Sequence, residues 1–381
     1  MDYALTAEQE AFRAALRRFA TDRLAPHYRA DDLSGDMAPT IRADMAGMGL
    51  LGLRLPSRFG GQDAEAETVG VAVEELSRAN INAAYLVLST ALVGDILLAA
   101  ATPGQQEAWL PGIADGSTLP ALALTEPGHG SDAAAIDLVA RPDGDGWTLH
   151  GEKTSISLAH LADTVVVFAR TGGPGARGVS AFHLPLTRPG LAITRLGDVA
   201  NRAAGRCSLY FDGVRVGRDE IVGPENGAFG ALMRGFEYSR AIIGLMALGV
   251  AGAALDDALE YARTRETFGA PIGTRQGVAF PLVEYATQVA GARHLCFEAL
   301  WRKDRGLDHT TQANMVKWWA PKLAVETVHQ CLLTFGHAAW SDDNPQAQRL
   351  RDAMGFEIAD GTAQIAKLVV ARALLGRACA P

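Results

Sequence analysis

The sequence contains few cysteines, few aromatic residues and no excess of positive charge. Only four of its 381 residues are cysteine, and no two of them have the CxxC spacing of a metal or redox motif. The 35 Lys and Arg residues are outnumbered by 43 Asp and Glu residues, which leaves a net charge of −8. Because nucleic-acid binding needs clustered cations, this balance excludes a broad nucleic-acid surface. The scarcity of cysteine predicts a reducing environment.

The sequence also lacks the signals of a membrane or secreted protein. Its longest apolar runs are interrupted by Asp, Arg or repeated Gly before they reach the ~18–20 residues of a membrane helix. Residues 1–30 lack the charged, then apolar, then small pattern of a signal peptide. We therefore expect no membrane span and a cytoplasmic location.

The sequence does contain a large apolar fraction, arranged in three zones. Hydrophobic residues make up 48% of the chain and aromatic residues 7%, which is typical of an aliphatic, helix-rich protein and excludes disorder as the main state. Helical periodicity dominates residues 1–117, short β-type runs dominate residues 118–226, and helical periodicity returns over residues 227–381. We predict an α+β, mostly α fold with an N-terminal helical domain, a middle β domain and a C-terminal helical domain.

The same periodicity predicts individual elements. The predicted helices cover residues 69–78, 83–101, 233–263, 276–305, 311–335 and 360–375. The predicted strands cover residues 147–150, 164–170, 179–184 and 208–211.

The sharpest local signal is a turn at residues 123–132, with the sequence ALTEPGHGSD. Its proline and glycines place exposed backbone N–H groups beside small hydroxyl side chains, an arrangement that can hold an anion or the edge of a ring. By itself, this pattern is more typical of an ordinary turn whose Ser and Thr side chains bond their own backbone.

Two further motifs follow this turn in the chain. Residues 265–272 read RETFGAPI and are followed by Gln276, and residues 351–365 read RDAMGFEIADGTAQI. Together with LTAEQ at residues 5–9, their order and spacing resemble the acyl-CoA dehydrogenase family, whose members carry a TEPxxGSD loop, an RxxFGxPI…Q segment and an RDxxxxxIxEGTxxI ending. The resemblance extends over nearly the whole chain.

This resemblance implies an FAD enzyme with a C-terminal four-helix domain, assembled as a homotetramer or a dimer. It implies an acyl-CoA or acyl-carrier-protein substrate and an electron-transfer flavoprotein or similar acceptor. By motif position, the residues implied to contact FAD are Leu124, Thr125, Gly130, Ser131, Ser155, Ser157, Arg265, Phe268, Gln276, Gln330, Gly336, Thr362 and Gln364. Arg265, Phe268 and Gln276 would reach the FAD of the adjacent subunit, with Arg265 at its pyrophosphate.

The resemblance also identifies a catalytic base. Dehydrogenation of an acyl thioester removes a weakly acidic carbon-bound proton while a hydride leaves the next carbon for the flavin, so a carboxylate must face the substrate. The family base is the Glu of EGT, and the matching residue here is Asp360, for which a helix N-cap is the alternative. Ser239 occupies the family's second base position and cannot serve as the base.

Substrate contacts are implied for a further group of residues. They are Ser131, Glu237, Tyr238, Arg240 and Gly361. The alternatives are an ion pair between Glu237 and Arg240 on one helix face, and a core position for Tyr238.

The chain departs from the family pattern near this site. Asp360 replaces Glu, which shortens the reach of the base by ~1.5 Å, and Ala359 stands where Tyr is usual. Ser155 replaces an aromatic residue that packs on the flavin, and Leu333-Thr334 replaces Gly-Gly. These changes resemble the cyclohexene-carbonyl-CoA dehydrogenases and the acyl desaturases of polyketide extender-unit pathways. We therefore predict γ,δ-type desaturation of a short α,β-unsaturated acyl group, because conjugation acidifies the γ protons.

Other functions stay open at this point. They are ordinary α,β-dehydrogenation of a short or branched acyl-CoA, binding of an acyl thioester without catalysis, and a flavin oxidase or oxygenase activity. Asp95 is either a second carboxylate of the site or a solvated or capping residue. His129, His329 and His337 lack ligand partners at metal spacing, so we predict no metal site.

Overall fold

The computed structural model describes residues 5–381 and begins with five α-helices. Their bounds are α1 (Ala7–Phe19), α2 (Tyr28–Ser34), α3 (Pro39–Gly47), α4 (Ala66–Ala100) and α5 (Pro103–Ala114). Capping residues determine where two of them begin. The Thr6 side chain accepts a hydrogen bond from the Gln9 backbone at the start of α1, and Thr102 and Gln105 form the same capping box at α5.

The helices predicted at 69–78 and 83–101 correspond to the two halves of α4. A kink at Asn80, whose φ of −155° and ψ of 101° are not helical, separates them. The Asn80 side chain is buried, accepts a hydrogen bond from the Asn82 backbone and donates one to Asp31. Asparagine competes with helical hydrogen bonds in this way, which explains the kink.

The middle zone forms one eight-stranded sheet. Its strands are β1 (Pro120–Ala123), β2 (Val139–Asp143), β3 (Gly146–Ser157), β4 (Thr164–Arg170), β5 (Val179–Pro185), β6 (Leu191–Arg195), β7 (Arg206–Val216) and β8 (Ile221–Val222). The strand order is β6-β7-β3-β2-β4-β5-β8, and β1 pairs in parallel with β4. The predicted strands correspond to β3, β4, β5 and β7. The sequence did not predict β1, β2, β6 and β8, because two to five residues are too few to show clear alternation.

The last zone returns to helices. Its elements are α6 (Ala228–Thr264), the two-stranded β9 (Glu266–Thr267) and β10 (Ala270–Pro271), α7 (Gln276–Asp304), α8 (Thr310–Phe335), α9 (Gln346–Gly355) and α10 (Ala363–Leu375). Helix α6 packs against α4, α7 and α8 and carries much of the buried core. At Gly249 of α6, an added Cβ would lie 2.5 Å from the backbone oxygen of Glu74, so only glycine permits this approach of α6 to α4.

Two of these helices correct the expectation drawn from the apolar runs. Helices α4 and α6 are long and apolar enough to cross a membrane by length and composition alone. Most residues of their apolar windows are buried against the rest of the protein, 61% in α4 and 78% in α6. Burial inside the protein accounts for their apolar character.

Helix α9 connects the C-terminal helices to the other two zones. The buried Asp352 accepts hydrogen bonds from the Asn201 backbone N–H and the Tyr28 hydroxyl, both at 2.7 Å. Its neighbour Arg351 pairs with Asp32 of α2 at 2.6 Å. The Arg-Asp pair of the C-terminal motif therefore joins all three zones.

Burial raises the pKa of Asp352 to about 6, above the ordinary value of 3.8. The folded protein therefore binds a proton here more readily than the unfolded chain, and this contribution to stability falls as the pH rises through about 6. From pH 7 to pH 5, we expect wild-type protein to gain roughly 1 kcal/mol of unfolding free energy relative to Asp352→Asn. Urea unfolding of both proteins at the two pH values measures this difference. If the two proteins differ in unfolding free energy by the same amount at pH 5 and pH 7, the prediction is contradicted.

Candidate active site

Asp360 lies in the turn between α9 and α10, with φ at +52°. Thr362 is the N-cap of α10 and accepts a hydrogen bond from the Ile365 backbone. The helix predicted to begin at residue 360 therefore begins at Ala363, and the N-cap alternative for Asp360 is wrong. The Ser239 hydroxyl of α6 donates a hydrogen bond to the Asp360 carboxylate. The two base positions of the family pattern are thus in contact, and only Asp360 carries a carboxylate.

Two cationic side chains lie near this carboxylate. Arg240 Nε donates to the Asp360 backbone oxygen at 3.4 Å, and Lys317 Nζ donates to the Phe356 backbone oxygen at 2.9 Å. Burial lowers the pKa of Arg240 and lowers that of Lys317 to about 8, while the nearby Asp360 raises both. The site is therefore an anion held beside two partly desolvated cations.

The predicted substrate residues on α6 are divided between two places. Glu237 accepts a hydrogen bond from the Thr310 hydroxyl at 3.0 Å, and within residues 5–381 no ion pair joins it to Arg240. Tyr238 is 1% exposed and packs under Lys303, whose Nζ lies 4.5 Å from the ring centroid. The structure thus corrects the assignment of Tyr238 to the substrate and places it in the core. Gly361 lies beside Arg240 with φ at +100°.

Asp95 belongs to the same buried cluster as Tyr238. Its carboxylate pairs with Lys303 at 2.6 Å and with Arg54 at 3.4 Å. In the described chain, no hydrogen bond joins Asp95 to Asp360. Asp95 is therefore neither a second carboxylate of the site nor a solvated or capping residue, but part of a largely buried ion pair.

The TEPGHGSD turn is held at its start by a buried ion pair. Lys153 of β3, which is 0% exposed, donates to Glu126 at 2.7 Å and to the Leu124 backbone oxygen at 2.8 Å. Glu126 also accepts hydrogen bonds from two backbone amides, those of residues 137 and 138. The Thr154 backbone donates to the Thr125 oxygen at 2.8 Å. These bonds fix the turn against β3.

The tip of this turn is exposed. Gly130 and Ser131 are open to solvent, and no hydrogen bond within the described residues uses their backbone N–H groups or the Ser131 hydroxyl. Such free donors suit the polar edge of a ring. The next polar positions, Ser155 and Ser157, lie towards the end of β3.

Ser155 lies at an irregularity in β3. Its φ is +59°, and the register with β7 shifts between Lys153 and Ile156. The Ser155 hydroxyl accepts a hydrogen bond from Arg206 at 3.3 Å, and Arg206 is held in turn by Asp198. A small polar residue thus occupies the position where the family pattern has an aromatic ring.

The residues assigned to the adjacent subunit's FAD are on the surface. Arg265 and Gln276 are exposed, and the Phe268 side chain is 97% exposed with φ at +53°. Within residues 5–381, the Arg265 side chain makes no ion pair or hydrogen bond, so its guanidinium is available for an anion. Arg275 lies over the Phe268 ring at 5.3 Å.

A surface depression of about 610 Å³ lies at the end of α8. It is lined by Leu332, Leu333, Gly336, His337, Trp340 and Ser341. Leu333 is 57% exposed and Trp340 86% exposed. The side chain at Leu333, which replaces a family glycine, therefore lies on the surface, and Gln330 lies one turn before it on α8. Gln364, in the first turn of α10, is also exposed.

These residues fit FAD by the chemistry of their donors. The exposed amides and hydroxyls of the TEPGHGSD turn suit the edge of the isoalloxazine ring, and the unpaired Arg265 suits the pyrophosphate.

Two groups of side chains have the spacing of metal ligands, but each already has a structural role. Glu126, with His129 and Asp137, is bonded to Lys153 and two amides. Asp304, with Glu65 and Glu67, accepts hydrogen bonds from the backbone at the start of α4.

The sequence analysis assigned no role to Lys153 or Lys317. Both are buried, and burial lowers the pKa of each to about 8. The available signal was a lysine inside an apolar stretch, such as MVKWWA around Lys317.

Comparison with known proteins agrees with this geometry. The chain matches the models of the acyl-CoA dehydrogenase N-terminal domain over residues 6–117, middle domain over 121–214 and C-terminal domain over 226–375. It is 32% identical over 380 residues to a probable acyl-CoA dehydrogenase, YngJ, of Bacillus subtilis (strain 168), which covers 98% of this chain and 100% of the relative.

Solved structures give the same result. Butyryl-CoA dehydrogenase from Megasphaera elsdenii superimposes with a TM-score of 0.95 at 29% identity, over 98% of this chain and 100% of that one. A chain described as the electron transferring flavoprotein of Acidaminococcus fermentans superimposes with a TM-score of 0.96 at 30% identity, again over 98% and 100%. The predicted three-domain fold is confirmed, and the chain belongs to the acyl-CoA dehydrogenase family of FAD-dependent oxidoreductases.

Proposed function

We propose that this protein dehydrogenates a short acyl thioester with Asp360 as the base. The observation that carries the proposal is the placement of Asp360. Its carboxylate is only partly exposed, bonds Ser239, and is not used to cap α10. Within the described residues this carboxylate serves no helix cap or ion pair, so it is free to accept a proton from a bound substrate.

The surrounding residues support the steps of this reaction. The Asp360 backbone N–H has no acceptor within the described residues, so it is free to donate to a thioester oxygen as negative charge builds there. Arg240 carries positive charge on the same side of the turn. Bound FAD supplies the acceptor for the hydride that leaves the neighbouring carbon.

We further propose that the substrate is already unsaturated and that the new double bond forms between its γ and δ carbons. Two changes support this regiochemistry: Asp360 reaches ~1.5 Å less far than Glu, and the small Ser155, bonded by Arg206, stands where the pattern has a ring. Conjugation spreads the enolate charge, so a γ proton is acidic enough for a carboxylate at a displaced position. The similarity to butyryl-CoA dehydrogenase favours the second candidate, α,β-dehydrogenation of a saturated short acyl-CoA.

The exposed Phe268, Arg265 and Gln276 also support an assembly in which one subunit completes the FAD site of another. A phenylalanine that is 97% exposed, as Phe268 is, is unusual on a monomer surface and fits a subunit contact. We propose a homotetramer, a CoA or carrier-protein thioester as substrate, and an electron-transfer flavoprotein as acceptor, in line with the similarity to the Acidaminococcus fermentans chain.

Six-carbon thioesters separate the two regiochemistries. We expect anaerobic addition of 2-hexenoyl-CoA to bleach the visible flavin band, and hexanoyl-CoA to leave it unchanged. The matched control is 2-butenoyl-CoA, which has no δ carbon and cannot form the second double bond. Bleaching by hexanoyl-CoA would instead establish α,β chemistry. If FAD-loaded protein is bleached by neither of these six-carbon CoA thioesters, nor by the corresponding pantetheine thioesters, both proposed reactions are contradicted.

A further inference from the structure

Lys317 is a buried cation that pairs with no carboxylate among the described residues. It lies in the first half of α8, is 1% exposed, and within residues 5–381 bonds only the Phe356 backbone oxygen, at 2.9 Å. An ammonium group has three N–H donors, so two of them have no protein acceptor there. Burial of a charge with so few partners is costly.

The position of Phe356 links this lysine to the catalytic turn. Phe356 is the C-cap residue of α9 and opens the turn that reaches Asp360 four residues later. At the start of the turn, the buried Phe356 ring stacks on Tyr85, and Lys317 bonds the Phe356 backbone oxygen. At its end, Ser239 bonds the Asp360 carboxylate, and Arg240 bonds the Asp360 backbone. Lys317 therefore holds the start of the turn together with the Phe356 ring, and α6 holds its end.

We propose that Lys317 is a positioning residue for Asp360, which holds the turn from Phe356 to Asp360 and electrostatically favours the ionised carboxylate. The proposal rests on the proposed function of Asp360 as the base.

Charged and titratable groups from several elements surround this site, including Asp352 of α9 and Arg206 of β7, which act on the Tyr85 hydroxyl together with Asp360. Arg240 and Glu237 come from α6, Lys317 from α8, the Tyr85 hydroxyl from α4, and Glu357 from the turn itself. Burial lowers the pKa of Lys317 to about 8, so it is still largely protonated at neutral pH. Its removal takes away one of the two cations near the catalytic turn, so we expect the fall in rate at low pH to begin at a higher pH.

The test measures flavin reduction against pH in FAD-loaded protein, with whichever of hexanoyl-CoA and 2-hexenoyl-CoA bleaches the wild type. In Lys317→Met, the acid limb of the pH profile, where the rate of flavin reduction falls at low pH, is expected to lie about half a pH unit or more higher. Flavin reduction near pH 6.5 is expected to be about tenfold slower. Lys317→Gln keeps a donor for Phe356 without the charge, so it should move the limb with a smaller loss of rate. Lys317→Arg should keep the wild-type limb.

Lys322→Met is the matched control, because Lys322 lies on the same helix, is 52% exposed and, in the part of the chain that the structure describes, pairs only with Glu326. It should leave the pH profile unchanged. Hydrogen exchange provides a readout independent of activity: amides of residues 356–361 should exchange faster in Lys317→Met than in Lys322→Met.

Three results would overturn the proposal: an unmoved acid limb in both neutral variants, the same shift in Lys322→Met, or loss of folding in both neutral variants that Lys317→Arg restores. Asp360→Asn separates this failure from failure of the proposed function. If that variant reduces its flavin normally, Asp360 is not the base. If that variant does not reduce its flavin, an unchanged acid limb in the Lys317 variants overturns only the role of Lys317, and Asp360 remains the base.

Discussion

Asp360→Asn is expected to slow reduction of the flavin by the acyl thioester about 10³-fold, while FAD remains bound. The amide oxygen of Asn has nearly the shape of a carboxylate oxygen and can still accept the Ser239 hydroxyl. It cannot take a proton from carbon. The turn and its contacts with Arg240 and Lys317 should therefore persist, and only the chemical step should fail.

Rapid anaerobic mixing of 2-hexenoyl-CoA with protein whose flavin is oxidised measures this rate. The visible absorbance per protein measures the FAD content. Asp360→Glu is the matched variant, because it restores the longer side chain of the family pattern. We expect it to reduce its flavin and to shift its preference towards hexanoyl-CoA, since the carboxylate reaches ~1.5 Å further. Near-normal turnover in Asp360→Asn would remove Asp360 from the mechanism.

Lys153→Met is expected to lower the unfolding free energy by about 3–5 kcal/mol. The substitution leaves the Glu126 carboxylate buried, with two amide donors but no counter-charge. It also removes the hydrogen bond to the Leu124 oxygen, which holds the start of the TEPGHGSD turn. We therefore expect FAD retention to fall together with stability.

Urea unfolding gives the free energy, and a double variant tests its cause. Lys153→Met combined with Glu126→Gln removes the unpaired charge and should recover at least half of the loss, because the Gln carbonyl still accepts from an amide. The exposed Lys322→Met should change stability by less than about 0.5 kcal/mol. A loss of less than about 1 kcal/mol in Lys153→Met would show that the pair contributes little.

The sequence was sufficient for the fold class because its signals are local. Apolar residues recur at helical spacing before residue 118 and after residue 227, and short β-type runs lie between, so the three zones were visible without coordinates. The motifs at residues 123–132, 265–272 and 351–365 were sufficient to recognise the family. Asp360 could be singled out because it occupies a known position in a recognisable motif.

Other features could not be predicted, because they depend on which residues meet across the chain. Asp360 and Thr362 are both good N-cap residues, and only the course of the turn after α9 makes Thr362 the cap. Tyr238 and Ser239 are neighbours in sequence, yet one packs under Lys303 and the other bonds Asp360, because successive helical residues point in different directions.

By itself, the sequence determined the order of helical and β zones, the family and the identity of the candidate base, since each depends on periodicity or on residues close in the chain. The tertiary structure alone decided that α4 and α6 are buried core helices, that Asp352 joins three zones, and that Lys153 and Lys317 are buried. Burial and charge pairing arise from side chains up to 324 positions apart, as for Tyr28 and Asp352. Such contacts leave no periodic trace in the sequence, because their energy comes from desolvation and not from local propensity.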